Sequence, residues 1–284
     1  MTPFTSTLSA QRITRFLFSV IAMLGIAHLI GLTLSCLTLN PAVINAVKLI
    51  NLDRERNIPT LFSVCLFILN AGLFFIVHRN TKTFRERTIA WPLLGSTFAF
   101  LALDEFGSIH EQLSEPLRNM FNLTGGAFHF AWVIPYGIAA IILAIAVIPT
   151  VLKLRPRIRK WLIAAAVIYI TGAIGCEILV AITGITVSDT NFIYGLLSGI
   201  EELLEMAGLT TLTYSLLRLI EVQYGGITLI IPNQNSVYQN YSYASYTNER
   251  IPQGRQIDFT PDSYFDYPEQ IPTPPESLYA PKYR

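Results

Sequence analysis

Apolar positions in this chain run in long blocks rather than in short alternating patches. Phe16 to Leu39, Thr60 to Val77, Thr88 to Leu103, Ala127 to Leu152, Trp161 to Ile182 and Phe192 to Ile220 each hold about 20 residues with few charges. Blocks of that length match the apolar thickness of a bilayer at 1.5 Å of helical rise per residue. The pattern predicts six membrane-spanning helices. The first block is too long for the apolar core of a signal peptide and lacks a small-x-small cleavage site, so it reads as a retained helix. Asn40-Pro41 ends it, and residues 42 to 58 read as a short amphipathic connection. From Gln223 onward the helical period is lost; Thr228 to Ile231 reads as a short strand or interfacial patch, and prolines, tyrosines and amides dominate the rest. The expected organisation is a transmembrane domain over residues 1–222 and a mostly disordered tail over 223–284, with polyproline II at Pro272-Thr273-Pro274-Pro275.

Composition agrees with a bilayer as the solvent. Of 284 residues, 52% are hydrophobic and 14% charged, against about 25% charged in soluble domains. The expected class is an all-α, polytopic bundle. Net charge is +1, which argues against nucleic acid as a partner. Cys36, Cys65 and Cys176 lie inside apolar blocks without metal-type spacing.

Charge in the connections sets an orientation. Arg79, Lys82, Arg85 and Arg87 follow the second block; Lys153, Arg155, Arg157, Arg159 and Lys160 follow the fourth. Short basic loops stay in the cytoplasm, so both termini are expected there. The first connection, with Lys48, Arg54 and Arg56 diluted by Asp53 and Glu55, weighs weakly the other way. The membrane is expected to be a plasma or thylakoid-type membrane. The tail is a candidate docking segment for a cytoplasmic protein.

On this orientation, acidic residues fall at similar depth in the outer half. Asp104, Glu105, His110 and Glu111 close the third block; His129 opens the fourth; Glu177 precedes the end of the fifth; Glu201, Glu202 and Glu205 lie three to four turns into the sixth, at about 1.5 Å per residue. Asp104, Ser108, Glu111 and Glu115 would share one helical stripe, as would Glu201 and Glu205, with Gly195, Ser198 and Gly208 on the same side. His129, Trp132 and Tyr136 form a comparable stripe. A carboxylate inside the bilayer costs about 2.5–3.5 kcal/mol on insertion scales. Retaining several without Lys or Arg beside them calls for shared protons or a bound cation. Carboxylates with one or two imidazoles suit Zn, Mn or Fe. Three readings follow: a cation- or proton-binding module related to transport, a metal-dependent intramembrane enzyme acting on a lipid, and a scaffold that recruits partners through its tail. His28 and Asn70 read as packing or hydrogen-bonding residues, and a haem between His28 and His129 would have to bridge different depths.

Leu103-Asp104-Glu105 with His110-Glu111, the Trp132-to-Tyr136 stretch and Glu201-Glu202-x-x-Glu205-Met206-x-Gly208 together resemble a group of bacterial, especially cyanobacterial, multi-pass membrane proteins. The resemblance covers residues 15 to 220 and implies the fold without an activity. More faintly, the Asp-Glu pair is similar to that of intramembrane zinc hydrolases of the alkaline ceramidase type. Those enzymes use three histidine ligands, two of them paired on a late helix, where this chain carries Glu201 and Glu205.

Overall fold

The computed structural model describes residues 4–7, 9–38, 40–81, 88–122, 131–183 and 192–231. Helix α1 (Ala10–Leu37) is followed by the short α2 (Pro41–Lys48), α3 (Ile58–Asn80), α4 (Ala90–Gly107), α5 (Ile109–Phe121) and α6 (Val133–Leu152). Helix α7 (Pro156–Ile170) runs through a π-helical turn (Thr171–Cys176) into α8 (Glu177–Thr183), and α9 (Phe192–Tyr224) is the longest element. The chain is an all-α bundle. Five helical stretches, α1, α3, α6, α7 through α8, and α9, are long and apolar enough to cross a membrane. Helix α4, expected as a sixth span, falls short of that measure, its apolar run shortened by Asp104 and Glu105.

A two-stranded ribbon joins the two ends of the bundle. Strand β1 (Phe4–Thr7) pairs antiparallel with β2 (Thr228–Ile231), Phe4 opposite Ile231. Gly225 and Gly226, at φ 82° and 92°, make the turn out of α9 that side chains disfavour. The start and end of the bundle therefore meet. The compact unit runs from Met1 to Ile231, past the expected boundary at residue 222. The predicted docking tail lies outside the described residues.

Helix α9 is the axis. Met206, Leu209, Leu216 and Leu219 are fully buried against α1, α3 and α7. Phe67 and Phe74 of α3 pack on Phe98, with centroids 6.0 and 5.3 Å away. Close approach is set by glycine: a Cβ at Gly208 would lie 2.7 Å from the Tyr169 backbone nitrogen, and one at Gly172 would lie 2.9 Å from the Glu201 carbonyl. Asn70 joins α3 to α9 as expected of interhelical glue. Its amide donates to the carbonyls of Leu209 (3.1 Å) and Leu66 (2.9 Å), and Thr213 donates to its Oδ1 (3.1 Å). His28 is also a packing residue. The Leu52 N–H donates to Nδ1 (3.1 Å), so Nε2 carries the proton and donates to the Gly195 carbonyl (3.0 Å).

Two features depart from the sequence reading. Ser108 adopts a left-handed conformation, φ 50° and ψ 43°, which ends α4 and starts α5 in a new direction. Asp104, Ser108, Glu111 and Glu115 therefore do not form one continuous stripe, and Glu115 is exposed. The second is the connection after α2, within the stretch expected as a short amphipathic connection, which turns inward toward the bundle. Leu52 is buried, and Asn57 ties the segment together by donating to the Lys48 and Asn51 carbonyls.

Candidate functional site

The functional candidates gather at the end of the bundle where α4 meets α5 and α9 begins. A cavity of about 710 Å³ opens there. Asp104, Glu105, His110, Glu111, Glu201, Glu202 and Glu205 all line it, so seven of the nine residues singled out from the sequence meet in one place. Glu177 sits just behind the lining, near Glu201 and Trp132. His129 lies outside the described residues.

Asp104 organises the centre. It is buried, and its carboxylate accepts three hydrogen bonds: from the His110 backbone N–H (3.0 Å), from His110 Nδ1 (3.0 Å) and from the Tyr136 hydroxyl (2.7 Å). The first of these caps α5, whose N-cap Ser108 supplies no side-chain cap of its own. The second fixes the imidazole tautomer, because a carboxylate accepts and Nδ1 must carry the proton. A carboxylate behind a histidine in this way orients the other ring nitrogen for a metal. Trp132 braces the ring edge-on, with centroids 4.8 Å apart.

His110 faces two carboxylates. One ligand atom from each of Glu55, His110 and Glu111 can be chosen so that all three lie within 4.8 Å of one another. Burial disfavours charge on His110, but the hydrogen bond to Asp104 and the charges of Asp104, Glu205 and Glu111 override it and raise its pKa to about 9. Glu55 is pushed above its ordinary value, first by burial and then by the charge of Glu111. The Ser108 hydroxyl bonds Glu55, yet Glu55 Oε2 is buried without a partner.

Glu55 and Asp53 are the residues that sequence reasoning missed, having been read as dilution of a basic connection. The segment folds inward because Leu52 reaches the His28 ring, and the two acids follow it to the cavity. Ser198 donates to Asp53 at 2.7 Å, and the Tyr194 hydroxyl also bonds Asp53. On the far side the Tyr169 hydroxyl bonds Glu205. The alternation of acids and bases in Asp53-Arg54-Glu55-Arg56, directly before a capped helix, was the available signal.

Opposite Glu55, the Trp132 indole and Glu177 lie side by side. The indole N–H donates to the Glu177 carboxylate, and the two groups are buried together.

Away from this end the cavity changes character. Phe67, Phe74, Trp91, Phe98, Leu143 and Val147 line its body. Helix α6 contributes Ala139, Ala140 and Ala144 and is otherwise loosely held, with Val147 its one buried residue. A membrane-type helix bundle with a carboxylate- and histidine-headed cavity is thus the class that fold and site define. The chain belongs to the family described as "Domain of unknown function (DUF8692)", whose model matches residues 12–219 and so spans α1 to α9 and every residue of the cluster. No curated protein and no solved structure matches the chain. The likeness to alkaline ceramidase-type hydrolases rests on the residues alone.

Proposed function

We propose that this chain is an integral membrane protein that binds a divalent cation at Glu55, His110 and Glu111 and uses it in chemistry on a substrate held in the adjoining cavity. The observation that carries the reading is the convergence of those three ligand atoms within 4.8 Å, with His110 aimed by Asp104. Mixed carboxylate and imidazole donors suit Zn, Mn or Fe. The cation would supply Lewis-acid assistance. Asp104 would keep His110 oriented, and Glu205, held by Tyr169, stands close enough to act on His110 electrostatically and to serve as a base.

Transport is the weaker reading. An ion crossing the membrane needs polar stations along its path, whereas the body of this cavity is lined by aromatic and aliphatic side chains, with Thr97 among them. Proton sharing among Glu105, Glu201, Glu202 and Glu205 remains the reading if no metal binds. The basic loops support a cytoplasmic position for both termini, which would put the cluster in the outer half of the bilayer. The ribbon between β1 and β2 agrees with both ends lying on one side.

Elemental analysis of the purified full chain tests the proposal. About one divalent metal per chain is expected in the wild type and little in Glu111→Gln. A metal-free wild type, after purification without chelator and after attempted reloading with Zn, Mn and Fe in turn, would reject it.

A further inference from the structure

Helix α5 presents three faces. His110, Ser114 and Leu117 recur at i, i+4 and i+7 and turn toward the bundle. Ser114 is buried, His110 and Leu117 are half-buried, and the His110 ring meets Trp132 at 4.8 Å. Glu111, Glu115 and Asn119 form an exposed polar face. The third face, Ile109, Leu113, Pro116 and Met120 at i, i+4, i+7 and i+11, is apolar and also exposed, Met120 by 73%. The first two faces are those of any helix lying on a protein surface. The third is different: among the described residues nothing covers it, and in water it would be a continuous apolar row.

Where α5 begins points to what covers that row. Near its end α4 exposes Phe100, Leu103 and Phe106 at i, i+3 and i+6, Leu103 by 66%. Because α4 runs among helices of membrane length, this row belongs against lipid chains. Three residues after Phe106 the exposed apolar row resumes with Ile109, across the left-handed turn at Ser108. Local bonds hold that turn. Asp104 accepts from the His110 backbone N–H (3.0 Å), and the Gln112 side-chain amide donates to the carbonyls of Gly107 (2.6 Å) and Ser108 (3.1 Å). The helix is thus redirected just where the lipid-facing row of α4 ends. Its exposed charges, Glu111 and Glu115, are both acidic, so apolar contact rather than attraction to anionic headgroups would hold it on a bilayer.

We propose that α5 is an interfacial helix, lying along the bilayer surface at this end of the bundle with Ile109, Leu113, Pro116 and Met120 seated among lipid chains and Glu115 and Asn119 in water. His110 and Glu111, on its first turns, are then held at the boundary between lipid and water. The inference rests on the reading of the chain as an integral membrane protein. It deepens the metal-site reading by placing the mouth of that site at the lipid surface, but the seating itself needs no metal, so the two fail separately.

The test is nitroxide labelling of single cysteines in the full chain, held in phosphatidylcholine nanodiscs. The exposed Cys36 and Cys65 are replaced by alanine, and the buried Cys176 is kept, with the unsubstituted parent as the labelling blank. Labels go to Leu113→Cys and Met120→Cys, to Glu115→Cys and Asn119→Cys, and to Phe100→Cys on α4 as the lipid-facing reference. Collisions with oxygen, which concentrates among lipid chains, are compared with collisions with a water-soluble nickel chelate. Labels at Leu113→Cys and Met120→Cys are expected to be oxygen-dominated, about 5–10 Å inside the boundary. Those at Glu115→Cys and Asn119→Cys are expected to be nickel-dominated. Where Leu113→Cys does not fold, Met120→Cys decides alone. The depths should be the same with phosphatidylglycerol added; a depth reached only with that anionic lipid would overturn seating by the apolar face. Nickel-dominated labels at Leu113→Cys and Met120→Cys, with Phe100→Cys in lipid, would overturn the proposal and leave the membrane bundle standing. Protection of both from either collider would mean that protein covers the face, and would overturn it equally. A nickel-dominated Phe100→Cys would reject the membrane reading beneath it. Metal content is measured on the same labelled proteins. Labels at lipid depth in a chain that loads no metal would sink the metal site alone, and metal loading with α5 labels in water would sink the interfacial helix alone.

Discussion

Two histidines inside this bundle have opposite surroundings. His28 has both ring nitrogens engaged, by the Leu52 N–H and the Gly195 carbonyl, in a 3% exposed position between α1 and α9. His110 has one nitrogen held by Asp104 and the rest of the ring turned among Glu55, Glu111 and Trp132. Around His28 and Asn70 the polar groups pair with backbone and with each other. Beside His110, Glu55 Oε2 is buried without a partner. Buried atoms without a partner also occur elsewhere, at Ser63 Oγ, His78 Nδ1 and Thr210 Oγ1 among others. A satisfied buried network rigidifies a fold, whereas an unsatisfied one is a place where something else binds.

If that contrast is right, the two regions respond differently to substitution. His28→Leu should cost the most stability. It leaves the Leu52 N–H and the Gly195 carbonyl unpaired, at about 1–3 kcal/mol each. Thermal unfolding in detergent should show the loss while metal content per chain stays unchanged; a loss of metal would break the comparison. Asp104→Asn should do the reverse. Removing the carboxylate behind His110 should lower metal affinity about 10–100-fold, the usual effect of an outer partner, as read by titration against a competing chelator. Tyr136→Phe, which removes one of the three bonds to Asp104, should follow in the same direction with a smaller effect.

The metal-free protein should also carry a pH signature confined to the cluster. His110 holds its proton more tightly when folded, with a pKa near 9 against an ordinary 6.5. Its contribution to stability is present in full below about 6.5 and lost as pH rises through about 9. Glu55, raised above 4.5, slopes the same way, because the folded chain again binds the proton better. Melting temperature should therefore fall between these limits in the wild type, and His110→Gln should flatten the upper part of the fall; an unchanged slope would count against the Asp104–His110 pair. The smallest effect belongs to Ser108→Gly. It removes a left-handed residue that costs about 1–2 kcal/mol, but also the hydroxyl bonded to Glu55, so the net change should stay below about 1 kcal/mol by the same unfolding assay.

The helices were legible because apolar blocks of bilayer length leave little alternative. The convergence of Asp104, Glu105, His110, Glu111, Glu201, Glu202 and Glu205 was legible too, once basic loops gave the helices a direction and depth could be counted. Glu55 was not. Its place depends on Leu52 reaching His28, a contact between α1 and a connection 24 residues later, and no periodicity records that. The kink at Ser108 was hidden because the acids on either side keep helical spacing.

Metal stoichiometry measured side by side for His110→Gln and His28→Gln bears most directly on the central claim. Both substitutions remove an imidazole from a buried site in the same bundle. The account predicts about one divalent metal per chain in wild type and His28→Gln, and less than about a tenth of that in His110→Gln, the loss expected when one of three ligands is removed. Equal metal content in the two variants, or none in the wild type, would contradict it.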